Sequence, residues 1–311
     1  MKPIYNKKTK TLTLPYLFDN KLINVPKETE HIYFACKSIF NMTIDDLPEN
    51  IIRITFNDYF NQSVNYLPKN LRHLYFGRNF NQKVDNLPKK LSCLTFGCYF
   101  NQSVDNLPNS LTYLRFYHNF NQPVDNLPKT LTYLTFGELF NQPVDNLPNS
   151  LTHLTFGYHF NQSVDDLPNS LTHLTFGELF NQPVDNLPNS LTHLIFGYSF
   201  NQSVDNLPNS LTHLIFNGNK FNQLIKLPKN INEITLSSNH NLINNLPENI
   251  EKINIKFSAD NLKNKYISNL PITIKEIVIN DEIYSKYLTN IPFGATITID
   301  KKLPHNYKNS L

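Results

Sequence analysis

The chain has 311 residues, 40% of them hydrophobic and 17% charged, enough apolar side chain to bury a sizeable core. Trp is absent, Gly numbers only eight, the formal net charge is +3, and no apolar run approaches the length of a membrane-spanning helix. Three cysteines, Cys36, Cys93 and Cys98, are too few and too unevenly spaced for a disulfide framework or a Cys-x-x-Cys pair.

The amino-terminal MKPIYNKKTK lacks the apolar core of a signal peptide, so the expected setting is cytoplasmic, with reduced thiols. An internal ruler then takes over. Prolines preceded by Leu, Val or Ile step by twenty residues from Pro48 to Pro228, and phenylalanines keep the same time from Phe40 to Phe200. After Asn217-Gly218-Asn219 the next Phe of the series is Phe221, one residue late, and the proline spacing drifts through 19, 24 and 21. This predicts a capping segment at 1–17, a regular array at 18–236, and divergent repeats with a carboxyl-terminal cap at 237–311. The three would form one continuous solenoid of about fourteen coils.

Twenty residues are too few for a helical hairpin and suit one turn of a β-solenoid. In the coil FNQPVDNLPNSLTHLTFGYH (140–159), Leu154 and Phe156 alternate with His153 and Thr155, which predicts a short strand over 151–156. Pro148 has no N–H for a ladder and marks a corner. With Val144, Leu147, Leu151 and Phe140, the coil carries six apolar groups that it cannot bury alone. Stacking coils as parallel strands, at ~4.8 Å per step, buries them.

An Asn follows each ruler Phe. Asn121, Asn141, Asn161, Asn181 and Asn201 are expected to point inward as a ladder, satisfying backbone groups at the turn. Asn41, Asn61, Asn101, Asn161 and Asn201 also begin N-x-Ser/Thr sequons, but inward side chains would be closed to glycans.

The strand segment LPxxLxxLxF resembles that of leucine-rich repeats, and the unit F-N-Q-[PS]-V…L-P…L…L-x-F-G resembles the FNIP repeat, across 18–236 well and 237–311 loosely. FNIP repeats occur in social amoebae and in giant DNA viruses of amoebae. The resemblance implies a leucine-rich-repeat-like, right-handed coil stack with one short parallel strand per coil. It also brings an alternative function, substrate recognition for a ubiquitin ligase. In that family an F-box often precedes the repeats, and here Phe18 already opens the first repeat.

Chemistry is scarce. Asp145, Ser150 and His153 make a Ser-His-Asp composition that recurs coil after coil, but their positions around the coil predict no convergence, so no catalytic residue is assigned. The Asp series at 85, 105, 125, 145, 165, 185 and 205 lacks the Gly-rich turns of calcium-binding repeats and is expected to be solvated at a turn. No metal or other cofactor is expected.

Residues 131–219 contain seven acidic and no basic side chains, an arrangement that repels phosphate and excludes nucleic acid along that stretch. Tyr113, Tyr133, His153, His173, His193 and His213 share one register on the outward strand face, which would be the concave surface. With Glu138 and Glu178 beside them, they form the candidate face for a protein partner carrying basic groups. The expected function is thus a non-enzymatic scaffold for protein–protein interaction, of unstated oligomeric state. The repeats are recent copies: 137–176 and 177–216 differ at only four positions.

Overall fold

A computed structural model describes residues 2–218, 220–221, 227–257 and 266–303. The chain falls into two compact units, Met1–Gly157 and Tyr158–Leu311. Each is a β-solenoid in which a coil of about twenty residues contributes one strand.

In the first unit the strands are β1 (Ile4–Asn6), β2 (Thr11–Leu14), β3 (His31–Phe34), β4 (Arg53–Thr55), β5 (His73–Tyr75), β6 (Cys93–Thr95), β7 (Tyr113–Arg115), β8 (Tyr133–Thr135) and β9 (His153–Thr155). They pair in chain order. β1 and β2 form an antiparallel hairpin, closed where Asn6 Oδ1 accepts the N–H groups of Lys8 and Thr9. All later pairs are parallel, with like residues opposite like, as in Leu134 against Leu154.

The strands span mostly three residues rather than the six expected. The N–H of Leu151 is diverted to the carbonyl of Pro148 at 3.0 Å, closing the corner that the proline makes. Just past the strand the backbones of successive coils nearly touch. A Cβ on Gly157 would lie 1.9 Å from the carbonyl oxygen of Gly137, which is why the turn uses glycine there.

The core holds the six apolar groups of each coil: Phe140, Val144, Leu147, Leu151, Leu154 and Phe156 are all buried. Two phenylalanine columns interleave. One runs from Phe18 through Phe40, Phe60, Phe80, Phe100 and Phe120 to Phe140, with centroids 5.9–6.2 Å apart. The other leaves the strand end, and within a coil the two rings stack closely, at 3.7 Å for Phe116 and Phe120.

The second unit contains β10 (His173–Thr175), β11 (His193–Phe196), β12 (His213–Phe216), β13 (Glu233–Ser237), β14 (Lys252–Lys256), β15 (Glu276–Ile279) and β16 (Thr296–Ile299), all parallel in chain order. The column Phe160–Phe180–Phe200–Phe221 repeats at 6.1 Å, and the next place belongs to His240, whose ring lies 5.9 Å from Phe221. Beyond it, Ile253, Ile255, Ile277 and Ile279 fill the core. β-Branched residues favour extended backbone, and β13 and β14 lengthen to five residues. The described helical segments are two short 3₁₀ turns, Asn241–Asn244 and Glu282–Tyr287. Among the described residues no helix is long and apolar enough to cross a membrane.

Candidate functional site

Alternation puts Leu154 in the core and His153 on the opposite, outward face of the strand, and parallel register then lines up equivalent side chains of successive coils. In the first unit Tyr113, Tyr133 and His153 stand side by side. The tyrosine rings lie 6.3 Å apart, and Tyr133 stacks on His153 at 4.2 Å. In the second unit His173, His193 and His213 stack at 4.2 Å with interplanar angles of 10°. All six are half-buried except Tyr133, which is exposed.

Register carries both rows past the residues singled out from the sequence. His31, Arg53, His73 and Cys93 precede Tyr113, and Glu233, Lys252 and Glu276 follow His213. The twenty-residue step already pointed to 53, 73 and 93. Arg53 and Cys93 break the aromatic run, so side-chain type changes along the row while the register does not.

Each histidine is anchored by the threonine before it. The Nδ1 of His153, His173 and His193 lies 2.9 Å from the hydroxyl of the preceding threonine, and that of His213 lies 2.8 Å away. On its other side, His213 Nε2 meets Glu233 at 3.4 Å. Burial, and then the nearby His213, holds the pKa of His173 below the ordinary imidazole value. Parallel stacked rings aim their lone pairs side by side rather than at a common point, so the stack is not a chelating set. Among the described residues no group of three or more His, Cys, Asp or Glu side chains is gathered to hold a metal.

Glu138 and Glu178 sit on the turn just past the strand. Glu138 meets His118 Nδ1 at 2.9 Å, and Glu178 accepts the N–H of Tyr198 at 3.2 Å. The same turns expose Tyr59, Tyr99 and Leu139 in the first unit, and Tyr158, Leu179 and Tyr198 in the second. This apolar edge went unnoticed in the sequence because the residue type alternates from coil to coil.

The asparagines depart from expectation in where they sit. Asn121, Asn141, Asn161, Asn181 and Asn201 are half-buried, and Asn41 and Asn101 are exposed, so they do not point into the core. The carboxamide oxygen of Asn121 accepts the N–H of Asn141 at 2.9 Å and Nε2 of Gln142 at 3.1 Å. Asn161 and Asn181 likewise accept the N–H of Asn181 and Asn201. The backbone donors at this turn face the preceding coil, so the half-buried ladder that serves them runs from coil to coil. Burial therefore gives no ground for closing the sequons to glycans. Asn222, in the same series, lies outside the described residues.

A second surface ladder joins the Asp of one coil to the Asn of the next, as in Asn146 Nδ2 to Asp125 at 3.0 Å and Asn206 to Asp185 at 2.9 Å, but Asp145 meets Asp166 at the equivalent place in sequence. The Ser150 hydroxyl donates to the carbonyl of Leu131 at 2.6 Å, and His153 faces Thr152, so neither bond links the Ser-His pair.

Short parallel strands, a leucine- and phenylalanine-filled core and a coil of about twenty residues define a leucine-rich-repeat-type β-solenoid. The model of the FNIP repeat matches residues 63–99, 100–139, 140–179, 161–199 and 180–219, and the chain belongs to that family. It is similar to the giant-virus protein CroV588, described as a novel circular leucine-rich-repeat structure. The two are 40% identical with a TM-score of 0.75, over 92% of this chain and 46% of that one, so this chain spans less than half of CroV588. It is also similar to YopM of Yersinia enterocolitica, at 18% identity and TM-score 0.44 over 93% of this chain and 78% of that one. An internalin of Listeria monocytogenes matches at 16% identity and TM-score 0.45, over 82% and 84%. Among curated proteins nothing matches it.

Proposed function

We propose that this repeat scaffold is non-enzymatic and binds a protein partner on its strand faces, through Tyr113, Tyr133 and His153 in the first unit and His173, His193 and His213 in the second. The observation that carries this reading is the aromatic stacking on a regular strand base. Ordered, half-buried rings lose little conformational freedom on binding, and aromatic side chains supply much interface energy. Glu138 and Glu178 at the strand ends, within a stretch without Lys or Arg, favour a partner with basic groups. The three cysteines are free, in keeping with a cytoplasmic setting, that of the host if the chain is viral. No cofactor enters this function.

The test compares two triple variants of the full chain in capture from amoeba extract: His173, His193 and His213 to Ser, and Asp165, Asp185 and Asp205 to Ser. The histidine variant should lose the captured protein and the aspartate variant should keep it, with capture weakening as salt rises. The opposite pattern would move the binding surface to the aspartate ladder and end this reading. Ubiquitin-ligase subunits in the captured set would identify the scaffold as a ligase adaptor.

A further inference from the structure

Near the amino terminus of the first unit, the strand face changes character. A cavity of about 540 Å³ opens there, lined by Thr9, Thr11, His31, Ile32, Tyr33, Arg53 and Thr55. Thr9 and Thr11 come from the β1–β2 hairpin, and the rest from β3 and β4. Parallel register sets Arg53 between His31 and His73, and Thr55 between Tyr33 and Tyr75.

The Arg53 guanidinium is exposed and lies over the Tyr75 ring, 5.6 Å from its centroid, a contact that leaves its charge uncompensated. Glu30, the carboxylate beside His31, is joined to Lys10. Among the described residues Arg53 has no acidic partner, and the side chains of His31, Tyr33 and Thr55 make no hydrogen bond. The cationic field also reaches the neighbour: burial first, then Arg53, Arg72 and His31, holds His73 below the ordinary imidazole value.

We propose that this cavity binds a phosphate monoester. The Arg53 fork takes two phosphate oxygens, and His31, Tyr33 and Thr55 supply donors around the third. A flat carboxylate would satisfy the guanidinium but leave the surrounding donors unused. The cavity is larger than a phosphate and has room for the group that carries it. That group is either a small metabolite or a phosphorylated side chain of another protein. The site stands apart from the aromatic rows and does not depend on what they bind.

Calorimetric titration of the full chain tests it, using phenyl phosphate, a phosphoserine peptide and the unphosphorylated peptide. Phosphorylated probes should bind. Arg53→Gln should weaken them by roughly tenfold or more, while Arg78→Gln, whose guanidinium lies over Tyr99 away from the cavity, should leave them unchanged. Arg53 is exposed, so an unchanged thermal melt of the variant will separate lost binding from lost fold. A phosphopeptide bound more tightly than phenyl phosphate assigns the site to a phosphorylated protein, and the reverse order assigns it to a metabolite. Equal binding of the two peptides, phosphorylated probes bound as well by Arg53→Gln, or no binding of either phosphorylated probe at millimolar concentration would each overturn the proposal.

Discussion

His240 shows what a single substitution does inside a repeat core. It stands where the ruler calls for phenylalanine and is 1% exposed. Its Nδ1 accepts the N–H of Leu242 at 3.2 Å, so in the neutral ring the proton sits on Nε2, which is buried without a partner among the described residues. Burial lowers its pKa from 6.5 to about 4. The folded state therefore binds the proton less readily than the unfolded one. The stabilisation is complete above about pH 6.5 and is lost as pH falls through about 4, amounting to roughly 3 kcal/mol. His240→Phe should remove this sensitivity. Urea unfolding of the two proteins should show the variant gaining on the wild type between pH 7 and pH 4, and a pH-independent difference would mean the imidazole is not buried neutral. The asparagines invite a second residue-scale comparison. Asn121→Ala removes the carboxamide acceptor of the Asn141 N–H and leaves Gln142 Nε2 only the Asn121 carbonyl, and should cost about 1 kcal/mol, whereas Asn146→Ala breaks one exposed bond and should be nearly neutral. Equal shifts in melting temperature would contradict the half-buried ladder.

At the scale of one coil, the stability of the element comes from its neighbours. Phe116 is fully buried, with its ring 3.7 Å from Phe120 in its own coil, 5.4 Å from Phe96 and 6.0 Å from Phe136. Phe116→Ala opens a cavity that stacked backbones cannot collapse to fill, at a cost of about 3–5 kcal/mol. Hydrogen exchange should quicken in β6, β7 and β8 and remain slow in β3. Uniform quickening would show that the coils melt as one block rather than as linked repeats. The strand itself was only half legible. Alternation identified which side chains face the core, but the competing bond from Leu151 to Pro148 decides where pairing begins.

At the scale of the whole molecule, stability is close to a sum of repeats and nearest-neighbour contacts. Excising residues 101–120, one full period within the first unit, rejoins Phe100 to Asn121 and preserves every register of Phe, Val, Pro and Leu. That chain should keep its β-type circular dichroism and melt slightly lower than the full chain. Excising 101–110 shifts corner and strand by half a period and should abolish cooperative melting. Two similar melts would mean that the coils do not depend on register. Charge is organised at this scale as well: the first 130 residues carry 16 basic and 10 acidic side chains, while 131–219 carry no basic and seven acidic ones. The cationic cavity around Arg53 belongs to the former and the candidate face with Glu138 and Glu178 to the latter.

The coil, its six core side chains and the outward row at His153 were readable from the chain alone, because a twenty-residue period and two-residue alternation are local properties of the sequence. What lies beside what across coils was decided by tertiary structure. Register brings Arg53 beside His31 and carries the His213 row on to Glu233, Lys252 and Glu276, although the proline spacing has drifted by then. The asparagine ladder runs from coil to coil because each turn's N–H donor lies over the carboxamide of the coil before it. The Arg53 cavity takes Thr9 and Thr11 from the β1–β2 hairpin, whose antiparallel pairing lies outside the twenty-residue period. The neutrality of His240 follows from desolvation, which no single position in a sequence records.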